Sequence, residues 1–281
     1  MPAQIHPLLI REVFDALCAA RDAGRAQLEC SFDLSRTRVT VEVAATHWRV
    51  NGRDYPYPQI CKDRTIYHWD GEDFAPVSRY GSALIKLVPT DWGAPTFEID
   101  GIKMLPTAQV SPYADAERKV ALIAPRGKRI LDCCGGLGYF AACALAAGAA
   151  QIQSYEKNPD VIWLRGLNPW SPDHEHEVAL TLSNDDVSAA IATLADASFD
   201  AILHDPPRFG IAGELYSQAF YEQLARVVKP QGKLFHYTGT PNKLTSGRNV
   251  PQEVATRLQR AGFATEFNGD GVLAVKQQGR R

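Results

Sequence analysis

From residue 116 onward the chain alternates short apolar runs with helical patterns, and that rhythm constrains its fold more than any other feature. Runs at 128–134, 151–156, 177–186, 199–207 and 232–239 read as strands. Segments 139–148, 159–170, 188–195, 215–230 and 250–262 read as helices. Strands that alternate with helices build a parallel sheet covered on both faces. Residues 263–267 and 271–277 close the chain as an antiparallel strand pair. The expected architecture is therefore α/β, a doubly wound, mostly parallel seven-stranded sheet. Ligands of such sheets lie beyond the carboxyl ends of the strands, so the loops after the first four strands are the places to look.

Before residue 116 the grammar differs. Ile5, Leu8, Leu9, Val13, Phe14 and Leu17 have the spacing of an amphipathic helix over 5–23. Val39, Val41 and Val43 then alternate with polar residues, and Asn51-Gly52, Asp70-Gly71 and Asp100-Gly101 are turn signals. Residues 25–105 read as a small β-rich module. The expected division is 1–115, a helix plus a β-rich domain that completes or recognises the substrate, and 116–281, a cofactor-binding domain. A chain of 281 residues has the length for two domains.

Composition narrows the partners. The formal net charge is −2 and neither half is a basic platform, which argues against strong non-specific nucleic-acid binding. No run of 18 apolar residues predicts a membrane helix. The first residues carry no basic leader, so a secretory signal is not expected. The 6 cysteines form no CxxC pair and are expected to be reduced, in a cytoplasmic protein. No metal is expected: Cys133 and Cys134 are adjacent, and His174 and His176 lie in a polar loop without a third ligand.

Three loops carry the chemistry. After the first strand come Asp132, Cys133, Cys134, Gly135, Gly136, Leu137 and Gly138. Glycines here let the backbone turn tightly and let a ligand approach closely. Gly136-x-Gly138-x-x-Ala141 also fits a dinucleotide fingerprint loosely. Asp132 tips the choice away from a pyrophosphate, which wants free N–H groups, and towards a ligand with an ammonium group. The second strand ends at Glu156, about where an acid binds ribose hydroxyls in a βαβ nucleotide site. The third ends in Asp185 and Asp186, one able to accept from an adenine amine and the other to cap a helix. Asp185 is preferred for the adenine.

With Leu131-Asp132-x-x-x-Gly136-x-Gly138, Glu156, Asp185 and Asp205-Pro206-Pro207, residues 116–281 resemble the class I S-adenosylmethionine-dependent methyltransferases. The resemblance implies a Rossmann-like methyltransferase fold and S-adenosylmethionine as cofactor. It places the methionine part at the glycine loop, the ribose at Glu156 and the adenine at Asp185. One departure is Cys134, where the usual first glycine stands. Over nearly the whole chain, segments such as 31–43, 95–105, 167–171 and 213–221 are similar to a family of predicted methyltransferases best known from archaea.

The fourth strand ends in Asp205-Pro206-Pro207-Arg208-Phe209. Two prolines make this loop stiff and extended beside the expected donor. Asp205 is the candidate catalytic residue and also a cofactor contact, accepting from a planar amine. Pro206, Pro207, Arg208, Phe209, Tyr216 and Tyr237 are candidate substrate contacts. In amino-methyltransferases of nucleobases an aromatic follows such a loop directly, whereas here Arg208 intervenes. Carbon methylation through a cysteine adduct is disfavoured, because no cysteine follows Cys143. His236, at the fifth strand end, is a candidate base by its pKa of about 6.5 and equally a candidate buried histidine. Tyr221 and Trp170 read as packing residues. Lys119, Arg126, Lys128 and Arg129 are a stripe that reads either as a phosphate contact or as a solvated face.

The expected function is methyl transfer from S-adenosylmethionine to a planar nitrogen, such as a nucleobase in RNA, or to a small molecule. Such a displacement needs alignment and exclusion of water, not a metal. The competing readings are an aminopropyltransferase of the spermidine-synthase kind, using decarboxylated S-adenosylmethionine, a nicotinamide-dependent oxidoreductase, and a non-catalytic cofactor-binding module.

Overall fold

The computed structural model describes residues 7–239 and 249–278. Two compact units emerge. One holds Met1–Ala114 and Trp163–Ser171, and the other Asp115–Ile162 and Pro172–Arg281. Segment 163–171, which the sequence rhythm assigns to the second domain, thus groups with the first.

Among its described residues up to 111, the first unit holds eleven short strands and one helix. They are β1 (Leu8–Leu9), β2 (Gln27–Cys30), β3 (Val39–Val43), β4 (His47–Val50), β5 (Arg53–Pro56), β6 (Tyr67–Trp69), β7 (Phe74–Pro76), β8 (Ser78–Tyr80), β9 (Leu84–Val88), β10 (Thr96–Ile99) and β11 (Ile102–Lys103). They form three antiparallel sheets, β1-β6-β7, β2-β3-β4-β5 and β11-β10-β9-β8. Helix α1 spans Arg11–Asp22, not 5–23. Leu8 and Leu9 pair with His68 and Tyr67 instead, a long-range strand contact that local apolar spacing does not announce. Ile5 lies outside the described residues. Trp48 centres this unit's core, stacked on Phe32 at 4.7 Å and on Tyr55 at 4.8 Å between ring centroids.

The second unit carries the long sheet. Its strands are β12 (Arg129–Asp132), β13 (Gln151–Tyr155), β14 (Leu180–Ser183), β15 (Phe199–His204), β16 (Val228–Tyr237), β17 (Phe263–Asn268) and β18 (Gly271–Lys276). The spatial order is β14-β13-β12-β15-β16-β18-β17. The first five are parallel, and β18 runs antiparallel between β16 and β17. Ile130, Leu131, Ile152, Ala201, Ile202 and Leu234 are fully buried, as strands covered on both faces must be.

The helices that follow the chain are α2 (Pro112–Leu122), α3 (Tyr139–Ala146), α4 (Pro159–Leu167), α5 (Val187–Ala190), α6 (Gln218–Val227) and α7 (Val250–Arg260). The starts of α5, α6 and α7 are capped by side chains: Asp186 accepts from Ser188 N–H, Ser217 from Phe220 N–H and Asn249 from Gln252 N–H. Among the described residues no helix is long and apolar enough to cross a membrane. Chain order along the sheet reverses at β12, so the loops after β12 and β15 leave neighbouring strands at the switch point, where open α/β sheets bind ligands.

Candidate functional site: the strand ends of the long sheet

The loop after β12 is held from both sides. Cys133 N–H donates to Leu203 O at 3.0 Å, and Gly135 N–H to Tyr155 O at 2.7 Å. Gly136 and Gly138 have φ of +49° and +80°, a left-handed backbone that side chains resist. Gly136 N–H donates to Glu156 Oε2 at 3.0 Å, and Asn158 N–H to Glu156 Oε1 at 2.9 Å. Two backbone donors therefore fix a half-buried carboxylate beside the glycine turn.

Asp132 ends β12. It has no exposed surface, and its Oδ2 accepts the Ser154 hydroxyl at 2.8 Å, which ties the start of the loop to β13. Asp186 caps α5 and lies 3.6 Å from Lys157, while Asp185 is exposed just after β14. Burial holds the Cys133 and Cys134 thiols well above their usual range, with Cys133, Glu156, Asp132 and Asp205 adding to the effect at Cys134. Neither thiol is a ready nucleophile.

Asp205 follows β15, next to the glycine loop. Its side chain is 22% exposed and stands 3.8 Å from Lys119 Nζ. Lys119 is itself buried, 2.7 Å from Asp115 and 3.8 Å from Asp270. Its ammonium also sits 3.9 Å above the centre of the Tyr237 ring. Arg118 bridges Asp115 at 2.9 Å and Asp270 at 2.7 Å. Burial pushes the Asp205 carboxyl up; Lys119 opposes this, Asp115 and Asp270 add to it, and the outcome is about 6. Burial would lower Lys119, but Asp205, Asp115 and Asp270 outweigh it and keep the ammonium charged. Sequence reasoning missed Asp115, Arg118 and Asp270 as neighbours of Asp205. The available signal was Asp115 and Lys119, four apart on the helix just before β12.

The remaining candidates divide. Pro206 is buried, Pro207 and Arg208 are exposed and Phe209 is half-buried. Tyr216 is buried and donates its hydroxyl to Pro207 O at 3.1 Å, so it braces the loop from the core side instead of lining the site. Phe209 packs edge-on against Tyr216, with centroids 5.4 Å apart. Tyr237 is half-buried, with Lys119 over its face.

His236 is corrected. It is fully buried, its Nδ1 lies 2.8 Å from Tyr237 O and its Nε2 3.0 Å from the Tyr221 hydroxyl. Both ring nitrogens are engaged, and burial drives its pKa well below the usual value, with His204 contributing. It is a core histidine, not a base at the site. Of the basic stripe, Arg126 is exposed, Lys119 joins the carboxylates, Lys128 donates to Ile123 O, and the Arg129 guanidinium lies 5.0 Å from the Phe199 ring centre. Among the described residues no cluster of three or more His, Cys, Asp or Glu side chains could hold a metal ion.

The sheet order defines a Rossmann-like methyltransferase fold. No family model matches the chain. It is 42% identical over 225 residues to the uncharacterized protein MJ1233 of Methanocaldococcus jannaschii, covering 78% of this chain and 76% of that one, and it belongs to the same family. Among solved structures it is similar to a spermidine synthase in complex with the transition-state analogue AdoDATO, with a TM-score of 0.57, 16% identity and 71% and 72% of the two chains covered. The spermidine synthase of Thermotoga maritima aligns with a TM-score of 0.55, 16% identity and 72% of each chain.

The residues present fit a nucleoside-bearing group such as a nucleoside sulfonium: Glu156 is a fixed carboxylate, the glycine turn permits close backbone approach, and Asp185 is an exposed acceptor one strand further out. When bound, that group supplies an alkyl carbon activated by a positively charged sulfur.

Proposed function

We propose that the chain is an S-adenosylmethionine-dependent methyltransferase that acts on an amine nitrogen, carried by a nucleobase in RNA or by a small molecule. Asp205 carries the reading: a partly exposed carboxylate on a stiff loop, at the switch point beside the glycine turn. A carboxylate there accepts N–H and turns the nitrogen lone pair towards the donor carbon. Glu156 and Asp185 hold the donor, and Pro206, Pro207, Arg208 and Phe209 form the rim around the acceptor. Tyr216 fixes that rim through Pro207.

A second reading is aminopropyl transfer. Two observations favour it: the two solved structures described above, with TM-scores of 0.57 and 0.55, are spermidine synthases, and Asp115, Asp205 and Asp270 gather carboxylates at the acceptor side.

One experiment separates them. The protein is first titrated calorimetrically with S-adenosylmethionine, its decarboxylated form and NAD. It is then incubated with each labelled sulfonium donor and with either deproteinised RNA or a panel of amines, and products are identified by mass. Methyl gain that needs S-adenosylmethionine supports the proposal, and loss of that gain in Asp205→Ala supports the role of Asp205. Aminopropyl gain moves the assignment to the second reading. Binding of NAD alone, or of no ligand, overturns both. RNA as acceptor requires binding that weakens steeply with added salt.

A further inference from the structure

Lys119 has no role in the donor set, yet it is a buried lysine among three carboxylates. We propose that Lys119, with Asp115 and Asp270, is a positioning group that holds the Asp205 carboxylate in place and sets the pH at which it takes a proton from the acceptor nitrogen. The inference rests on the reading of Asp205 as the group that meets the acceptor amine.

The geometry comes from four elements of one unit. Lys119 and Asp115 come from α2, Asp270 from the turn between β17 and β18, Tyr237 from β16, and Asp205 follows β15. The turn is tied down where it matters, because Thr238 N–H donates to Asp270 O at 3.0 Å. Gly271 permits that approach: a Cβ there would meet His236 O at 2.6 Å and the Phe235 ring at 2.5 Å. The charged and titratable groups facing Asp205 are Lys119, Asp115 and Asp270, with Tyr237, Tyr216 and the Cys134 thiol beyond them. Arg118 pairs with Asp115 and Asp270, so that among the described residues Lys119 is the cation paired with Asp205 within 4 Å.

The chemistry is a single proton transfer. An amine that arrives as an ammonium has no lone pair to attack with, and a neutral planar amine becomes cationic as its nitrogen bonds the donor carbon. In either case one N–H bond breaks, an O–H bond forms on Asp205, and the electron pair stays on nitrogen. Lys119 favours the ionised carboxylate that can receive the proton, and Asp115 and Asp270 favour the protonated one. The balance between them fixes the working pH of Asp205.

The test is a titration of the ligand-free protein by carbon NMR with labelled aspartate carboxyls, the Asp205 signal being assigned by its loss in Asp205→Asn. An opposite charge within 4–6 Å moves a carboxylate by about 1–3 pH units. Lys119→Met is therefore expected to raise the Asp205 midpoint by about one unit or more, Lys119→Arg to restore it, and Asp270→Asn to lower it. If Lys119→Met does not fold, the more exposed Asp270→Asn decides by itself. Midpoints that stay within about 0.3 units in the folded variants overturn the inference. Donor binding by calorimetry runs alongside: shifted midpoints without donor binding remove the transferase reading and leave the charge balance standing.

Discussion

Asp205→Asn should stabilise the protein at neutral pH relative to acid. The Asp205 carboxyl has its midpoint at about 6 against 3.8 for the ordinary group. A raised carboxylate pKa means the folded state holds its proton more tightly than the unfolded one. The associated stability is present at low pH and is lost as pH rises from about 3.8 through about 6. At 1.36 kcal/mol per unit, the ionised form costs about 3 kcal/mol at neutral pH, of which about 2 kcal/mol falls between pH 4.5 and 7. Asparagine has the same shape and no titration, so pH-independent losses cancel when the variant is compared with the wild type at two pH values. The assay is urea unfolding of both proteins at pH 4.5 and 7, followed by the transition of the unit that contains the long sheet. The variant's stability relative to the wild type should be about 2 kcal/mol higher at pH 7 than at pH 4.5. An unchanged difference would mean that Asp205 titrates as an ordinary carboxylate, and the account of its burial and its neighbours would be wrong.

Three further outcomes follow from named contacts. Glu156→Gln keeps the shape but replaces one of the two carboxylate acceptors that meet Gly136 and Asn158 N–H, so calorimetry should show S-adenosylmethionine binding at least about tenfold weaker; unchanged affinity would remove the ribose assignment. His204 is buried with its pKa lowered to about 4, so its contribution is intact above about 6.5 and is lost as pH falls, by about 3 kcal/mol in full; His204→Gln should flatten that part of the acid-denaturation profile, and an identical profile would contradict the burial argument. Gly271→Ala should destabilise the long-sheet unit by about 1–3 kcal/mol in urea, because its Cβ has backbone and a ring inside contact distance; a neutral effect would show that β16 and β18 are packed more loosely than described.

The fold was legible where the sequence pattern is local. Runs such as 128–134 and 199–207 are apolar on both faces because both faces are covered, and the hairpin at 268–271 carries its own turn residues. Glu156 and Asp205 were legible because topology places residues that follow parallel strands at one edge of the sheet. What depended on distant contacts was not legible. The start of α1 was misplaced because Leu8 and Leu9 pair with residues almost sixty positions away. The charge cluster joins Asp115, Lys119, Asp205 and Asp270 across some 155 positions, and no spacing rule links them. His236 and Tyr237 show a limit of another kind. They are consecutive strand residues and point to opposite faces, so one entered the core against Tyr221 while the other met Lys119. Which face received which residue depended on the register with β15 and β18.

His204 and Asp205 bring the same alternation to the point where the core meets the site. Burial acts on both in the same physical sense, against the charged form, and so moves their pKa values in opposite directions. As pH falls from 6.5 towards 4, His204 withdraws stability while Asp205 returns it, in similar amounts. The cost of keeping a reactive carboxylate at the strand end is therefore greatest near neutrality, where the neutral histidines beneath it contribute most. The stiff prolines after Asp205 and the Tyr216 hydroxyl on Pro207 O keep the carboxylate from relaxing into solvent, where its burial penalty would vanish. A flexible loop would remove that penalty. Under the proposed function, the same stiffness that destabilises Asp205 lets it hold a nitrogen in line with the donor carbon.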